Sequence, residues 1–447
     1  MSEPAATNSE QDRPSADDRT IQEFFLWALA TLGLPVRQRN GLVYETELPE
    51  QDRQDFGGVE RLQFTFGSRD RPDASVAESV SPSCALFDWV VHRLRALECV
   101  VHAVPAGQPT SVHELSGRLF GAYTVQGGRV RLGGCTLDDQ PLMRFTYRIR
   151  SHRPNGDTRL AHVYVSADGQ RVADELLGRL QVDRLAPYPG KPPRVSAEQL
   201  QRCLEAGVRH APAVAEGEEA EPLVVAVVWC KYFRCKLLFE IGDARAELPF
   251  EGWAQLLVDG AIDPPPFRCA ATGRVSYRVA ATDDGRVSVA EAIVPCEESG
   301  RRVLVTDLET CEATGRRVAP EWLRSCPVTG ARVARSAMVA CNMCRQEVSP
   351  RAIAGGRCQA CRNLRPVNRD DPRMARVLGE YPKLDRWTRW RMVETHTAYI
   401  LVATSLLRRL LVVLDRESLD VLQLSEGSRI GRRWPDVPAG RWPEYLG

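Results

Sequence analysis

The 447-residue sequence contains no G-x-x-x-x-G-K-[ST] loop, no H-E-x-x-H pair and no G-x-S-x-G turn. It therefore lacks the motifs of a phosphate-cradling NTPase, a zinc protease of the two-histidine type and an α/β-hydrolase. Gly190-Lys191 runs into Pro192-Pro193, which a phosphate loop does not tolerate, and GGRVRLGG at 127–134 is a hairpin pattern rather than a dinucleotide fingerprint. Histidine is sparse, seven in all and scattered. His152 and His162, with Asp157 between them, form a weak candidate acid–base or metal pair, against the plainer reading of hairpin surface residues. Long apolar runs are also missing. Phe24 to Leu34 and Tyr399 to Leu407 are shorter than the roughly 18–20 residues a membrane span requires, so no membrane partner is expected. The opening MSEPAATNSEQDRPSADDRT has neither a basic n-region nor an apolar h-region, which predicts a cytoplasmic protein. An excess of one charge is absent from the chain as a whole, whose formal net charge is +1. The balance is uneven, however: residues 1–300 sum to −9 and residues 301–447 to +10, so the second part has the composition of a polyanion-binding or simply arginine-rich surface.

Cysteine is plentiful. Fourteen cysteines in a chain expected to be cytosolic point to metal ligands or buried thiols before disulfides. Four of them, Cys296, Cys311, Cys326 and Cys341, recur at a spacing of 15 residues. The period extends to Val303, Val318, Val333 and Val348, and to Leu308, Leu323, Met338 and Ile353. Their tetrapeptides read CEES, CEAT, CPVT and CNMC, and Gly300, Gly315 and Gly330 follow the first three. A fixed period at this many positions predicts stacked small units, each a tight turn of zinc-knuckle form whose glycine supplies a positive φ. In three units Ser299, Thr314 and Thr329 stand where a second cysteine would be, and a hydroxyl there can hold the turn without metal. CAATG at 269–273 has the same form out of register.

One unit is complete. Cys341 and Cys344, with Cys358 and Cys361, give C-x2-C-x13-C-x2-C, the ligand set of a structural zinc ion. A closed four-thiolate shell leaves no position for water or substrate, which argues against catalysis by that metal. Cys269, Cys296, Cys311 and Cys326 are candidates for a second metal site if the turns stack so as to pool them; the competing reading is small buried residues. Cys230 and Cys235 read as hairpin core. Basic and aromatic residues interleave after the ribbon, where Arg362, Arg365, Arg369, Arg386 and Arg389 lie close to Trp387 and Trp390. That mixture suits phosphate contact with base stacking, while the alternative is that the two tryptophans share a helical face as core.

The pattern of elements predicts a multidomain α+β protein. Residues 1–19 read as a disordered tail, with Thr20 capping a buried helix. Residues 20–184 read as an α+β domain and 185–222 as a linker with a short helix. A small β-rich domain follows at 223–268, then the Cys-rich hairpin repeats at 269–366. A C-terminal domain at 367–447 has helices through RMARVLGEY and RWTRWRMVE before a three-strand meander.

The two CxxC pairs make residues 296–362 resemble zinc-ribbon and treble-clef modules, a resemblance that implies nucleic-acid or protein binding and carries over only the four ligands. The run VERLQFTF, SPSCALFDWVVHRLRAL and FTYRIRSHRPNGDTRLAHVYVSADG, over residues 59–167, resembles the region that follows the motor in bacterial Swi/Snf-type ATPases. This chain has no motor, so that resemblance implies an accessory protein. Three functions are consistent with the sequence: a non-catalytic zinc-binding scaffold with a protein partner, a nucleic-acid recognition module, and an enzyme with an unrecognised site in residues 20–184.

Overall fold

The computed structural model describes residues 15–39, 43–67, 77–97, 100–152, 158–431 and 433–447. Residues 1–14 of the tail expected at 1–19, and Asp157, lie outside them; residues 16–19, expected to be disordered, are the first turn of a helix. The protein is mixed α+β, and its chain divides into two compact units. The first comprises the residues up to Val125, Arg129–Glu240 and Ala246–Pro266; the second comprises Gln126–Gly128, Ile241–Arg245 and Phe267–Gly447. Among the described residues no helix is long and apolar enough to cross a membrane.

In the first unit the opening helix is Ala16–Thr31, and its cap is Ser15 rather than Thr20. Ser15 and Asp18 form a reciprocal capping box, which satisfies two N-terminal donors that Thr20 could not reach. The helix buries Phe24, Phe25 and Trp27 against Phe64 of a four-stranded sheet and Phe87 of helix Ala85–Arg95. A second sheet has the order Arg159–Ser166, Gly128–Arg150, Glu219–Ile241, Val101–Pro105, Leu185–Pro187.

The stretches 185–222 and 223–268 differ from the expected linker and separate β-rich domain. Strand Leu185–Pro187 pairs with Val101–Pro105, and the run LVVAVVWC is an interior strand of the first unit's sheet, parallel to Val101–Pro105. Such an unbroken apolar run is what a strand covered on both faces requires. Helix Ala197–Ala215 covers one of those faces through Cys203 and Ala206. It comes so close that a Cβ on Gly207 would sit 2.4 Å from the Phe145 ring.

In the second unit the 15-residue period becomes a run of two-stranded hairpins with one-turn 3-10 segments at Ala290–Ala292, Val305–Asp307, Pro320–Trp322, Arg335–Ala337 and Pro350–Ala352. Val318, Val333 and Val348 are fully buried between them. The chain closes in a five-stranded antiparallel sheet ordered Arg365–Val367, Arg389–Glu394, Ala398–Thr404, Arg408–Asp415, Val421–Ser428. RWTRWRMVE, expected as a helix, ends in strand Arg389–Glu394. Trp390 and Met392 alternate toward the core while Arg389 and Arg391 face out, a period of two that the three-residue spacing of the tryptophans disguised. Both faces of the sheet are covered. Leu401, Leu410, Val412 and Leu424 pack with Met374 and Val377 of helix Pro372–Glu380. Ala398, Ile400, Leu411 and Val413 pack against the last hairpins, where the four CxxC cysteines lie.

Candidate metal centre

Each repeat turn is built the same way. The cysteine N–H donates to the carbonyl five residues on, at 2.8 Å from Cys296 to Arg301, Cys311 to Arg316 and Cys326 to Ala331, and at 3.0 Å from Cys341 to Gln346. The cysteine carbonyl accepts from the fifth residue of the turn, which is left-handed: φ is 73° at Gly300, 76° at Gly315, 73° at Gly330 and 57° at Arg345. Arg345 thus holds a conformation that its Cβ disfavours, and it ion-pairs with Asp436.

The lone cysteines of the turns are not gathered into a second cluster. Their sulfurs are used locally. Cys296, Cys311 and Cys326 accept N–H groups from Ala319, Ala334 and Ser349 at 3.4, 3.2 and 3.2 Å, in each case 23 residues further along the chain. Burial opposes ionisation of these thiols, but hydrogen bonds to each sulfur, from Ser299, Thr314 or Thr329 and from the next hairpin's backbone, outweigh it and lower their pKa. Cys269 is treated likewise by Ser288 and Thr272. The hydroxyl three residues after each of these cysteines therefore caps its sulfur, and the sulfurs of Cys296, Cys311 and Cys326 tie one hairpin to the next.

The last turn differs. Cys341, Cys344, Cys358 and Cys361 are buried, and their sulfurs all lie within 4.8 Å of one another. Cys341 Sγ and Cys361 Sγ are 3.8 Å apart, as are Cys344 Sγ and Cys358 Sγ. Thiolates about 2.3 Å from one tetrahedral ion would stand about 3.8 Å from each other, so the cage has the size of a single four-thiolate ion. Among the described residues this is the one group of three or more cysteine, histidine or acidic side chains so arranged. Two elements fix it. The turn at 341–345 supplies one pair, and hairpin Ile353–Ala354/Arg357–Cys358, running into the short helix Gln359–Arg362, supplies the other. The Asn342 N–H donates to Gly356 O at 2.9 Å, joining the two turns. Backbone N–H groups of Met343 and Cys358 reach Cys341 Sγ at 3.4 and 3.2 Å, and that of Cys361 reaches Cys358 Sγ at 3.4 Å. Such donors favour thiolate. Hydrogen bonds among the four sulfurs push Cys341 below an ordinary thiol and Cys344 and Cys361 above it, so the first thiolate of the cage is held by its protonated neighbours. The donor set, its burial and its spacing suit a metal ion.

The three-strand meander was expected, but its packing behind the cage was not. Ile400, Leu411 and Val413 belong to the same apolar cluster as the four cysteines, and Gln423 Nε2 donates to Met343 O at 3.2 Å. The unbroken apolar runs YILVA and LLVVL were the available signal, since an alternating strand covers one face only.

The five arginines proposed for nucleic acid fall into two kinds. Arg369 pairs with Asp385 at 2.8 Å and lies over Trp390, and Arg386 lies over Tyr445. Arg362, Arg365 and Arg389 stand at the surface without such a ring contact among the described residues, and all five arginines are exposed. Trp387 is buried in the core and Trp390 is half-buried, its Nε1 donating to Leu384 O at 3.3 Å, so neither ring is an open stacking platform. In the first unit, His162 is half-buried with Nδ1 3.1 Å from Thr146 Oγ1; desolvation, then the Arg144 charge, pushes its pKa down to about 3. Cys230 and Cys235 are buried, and burial pushes both thiols up to about 12, as befits core residues. Comparison with protein-family models, curated proteins and solved structures finds no match for this chain.

Proposed function

We propose that this protein is a non-catalytic zinc-binding scaffold, in which one structural ion locks the end of the hairpin array onto the C-terminal sheet to present a rigid surface to a protein partner. The observation that carries this reading is the closed cage of Cys341, Cys344, Cys358 and Cys361 inside an apolar cluster. Borderline-soft zinc matches four thiolates, and its tetrahedral preference matches the 3.8 Å sulfur edges. A saturated shell within a core has no coordination site for substrate, so the ion's contribution is folding free energy and rigidity. Compartment follows from the reading: reduced thiols suit the cytoplasm.

The test is affinity purification of the tagged full chain from its own cells, with and without nuclease. A defined protein retained in fixed ratio after nuclease, and lost from the Cys361→Ser variant, is expected. Retention of nucleic acid alone, or the same partner on the metal-free variant, would overturn it. The second reading, nucleic-acid association through the basic half, is favoured by the exposed Leu406, Leu407 and Ile430 and the exposed Arg429 between their loops.

A further inference from the structure

The most exposed aliphatic side chains of the second unit lie together at one end of its sheet. Leu406 and Leu407 form the two-residue turn between strands Ala398–Thr404 and Arg408–Asp415 and are 83% and 80% exposed; Ile430, in the loop after Val421–Ser428, is 95% exposed. The two loops are bonded to each other: the Arg429 N–H donates to Leu407 O at 3.0 Å, its Nη1 lies 3.4 Å from Leu406 O, and Arg409 Nη2 donates to Gly431 O. The three side chains thus form one built projection.

Neither packing nor local preference explains it. Neither leucine has the positive φ that restricts a hairpin turn to Gly or Asn, so the backbone there accepts polar residues and does not call for leucine. Three almost fully exposed aliphatics forgo burial that the fold supplies elsewhere, which marks an interaction site.

The surroundings define what it meets. Arg409 lies under the projection, stacked on Trp434 with its guanidinium carbon 4.1 Å from the ring centroid, and its buried Nε has no hydrogen-bond partner. Burial, then the charge of nearby Arg357, lowers its pKa. Arg357 and Arg429 are exposed, and among the described residues Arg408 is the neighbouring arginine drawn to a carboxylate, Glu426 at 3.2 Å. The cluster is cationic, and its exposed members, Arg357 and Arg429, are free to meet phosphate while Arg409 adds charge from beneath. Arginines flanking a protruding aliphatic wedge are the combination by which proteins grip the duplex backbone and unstack a base step. The net +10 of residues 301–447 extends the attraction beyond the tip.

We propose that the tip formed by Leu406, Leu407 and Ile430 is a wedge that enters a nucleic-acid duplex at a deformable base step, while the exposed Arg357 and Arg429 hold the flanking phosphates and Arg409 braces the loop beneath. This goes beyond the scaffold reading and does not depend on it: metal content and the protein partner can be as proposed whether or not the tip binds a duplex.

The experiment uses the full metal-loaded chain and a fluorescein-labelled 20-base-pair DNA duplex, with a second copy carrying 2-aminopurine at a central TA step. Wild type is expected to bind with strong salt dependence and to raise the 2-aminopurine fluorescence as the step unstacks. Leu406→Ser/Leu407→Ser should abolish the fluorescence rise and weaken binding less than tenfold. Arg357→Gln/Arg429→Gln should weaken it at least tenfold and reduce the salt slope by about 1.8, since each phosphate contact contributes about 0.9. All four residues are exposed, and unchanged melting and metal content confirm that each variant is folded. No binding at 50 mM salt, binding indifferent to both pairs of substitutions, or sedimentation with phosphatidylglycerol vesicles in place of duplex binding overturns the proposal.

Discussion

Replacing one thiol of the cage and one thiol of a repeat turn by serine separates a metal ligand from a packing residue. Cys361 and Cys326 are both buried in the same apolar cluster, so area alone predicts similar costs. The bonding differs. Cys361 Sγ lies 3.8 Å from Cys341 Sγ across the cage, whereas Cys326 Sγ accepts from the Ser349 N–H at 3.2 Å and from the Thr329 hydroxyl, bonds that a serine hydroxyl can also accept. A four-thiolate zinc ion contributes about 10–16 kcal/mol to the folding of a small metal-dependent module, comparable with the roughly 5–15 kcal/mol net stability of a whole domain. Three ligands around an ion in an apolar surround recover only part of that. Cys361→Ser should therefore cost at least about 4 kcal/mol, and Cys326→Ser about 1 kcal/mol. At about 2–4 °C per kcal/mol for a unit of this size, the second unit's transition should fall by more than about 8 °C in the first variant and by about 2–4 °C in the second. Differential scanning calorimetry reads both, with the first unit's transition as an internal control. Hydrogen exchange should locate the loss at 341–362 and at 398–413, the strands behind the cage. Equal, small shifts for the two variants would refute the reasoning, because the cage would then be four packed thiols.

Three further outcomes test the packing and the titration. Gly207→Ala puts a methyl about 2.4–2.6 Å from the Phe145 ring atoms and disturbs the Tyr147 hydroxyl bond to Gly207 O; overpacking of this kind costs about 1–3 kcal/mol, so calorimetry should show a lowered first-unit transition and an unmoved second. Gly330→Ala forces a Cβ onto φ of 73° and should cost about 1–2 kcal/mol, measured by denaturant melts of the second unit; Arg345→Gly relieves the same strain, so a melt showing stabilisation is expected despite loss of the Asp436 ion pair. His162 is held neutral, its pKa pushed down from 6.5 to about 3. Because the unfolded state takes up the proton first, the first unit should lose stability as pH falls from about 6.5 toward 3, and His162→Gln should flatten that dependence in urea titrations at successive pH values.

The 15-residue period was legible because every unit repeats the same turn chemistry, and the glycines at 300, 315 and 330 adopt the positive φ expected of them. The four cage cysteines were legible because their spacing encodes two turns that need no knowledge of the rest of the fold. The fate of the lone cysteines was not. Each sulfur's partner lies 23 residues away in the next hairpin, and nothing in CEES, CEAT or CPVT states whether a thiol bonds across to a backbone or inward to a shared ion. Helix and strand were confused at RWTRWRMVE, since two tryptophans three apart satisfy a helical face while Trp390 and Met392 satisfy a strand. The expected boundaries at 185 and 223 failed for a topological reason. Proline and acidic residues do punctuate the chain there, but strands Leu185–Pro187 and Glu219–Ile241 return to a sheet begun more than a hundred residues earlier in the case of the second. Sheet order, set by long-range pairing, leaves no local mark.

The measurement closest to the central claim is metal content of the purified full chain by plasma mass spectrometry, with Cys361→Ser and Cys326→Ser alongside. The account predicts about one zinc per chain, retained in Cys326→Ser and lost from Cys361→Ser. A folded wild-type chain without metal, an iron-containing chain, or a second ion that disappears with Cys326 would contradict it.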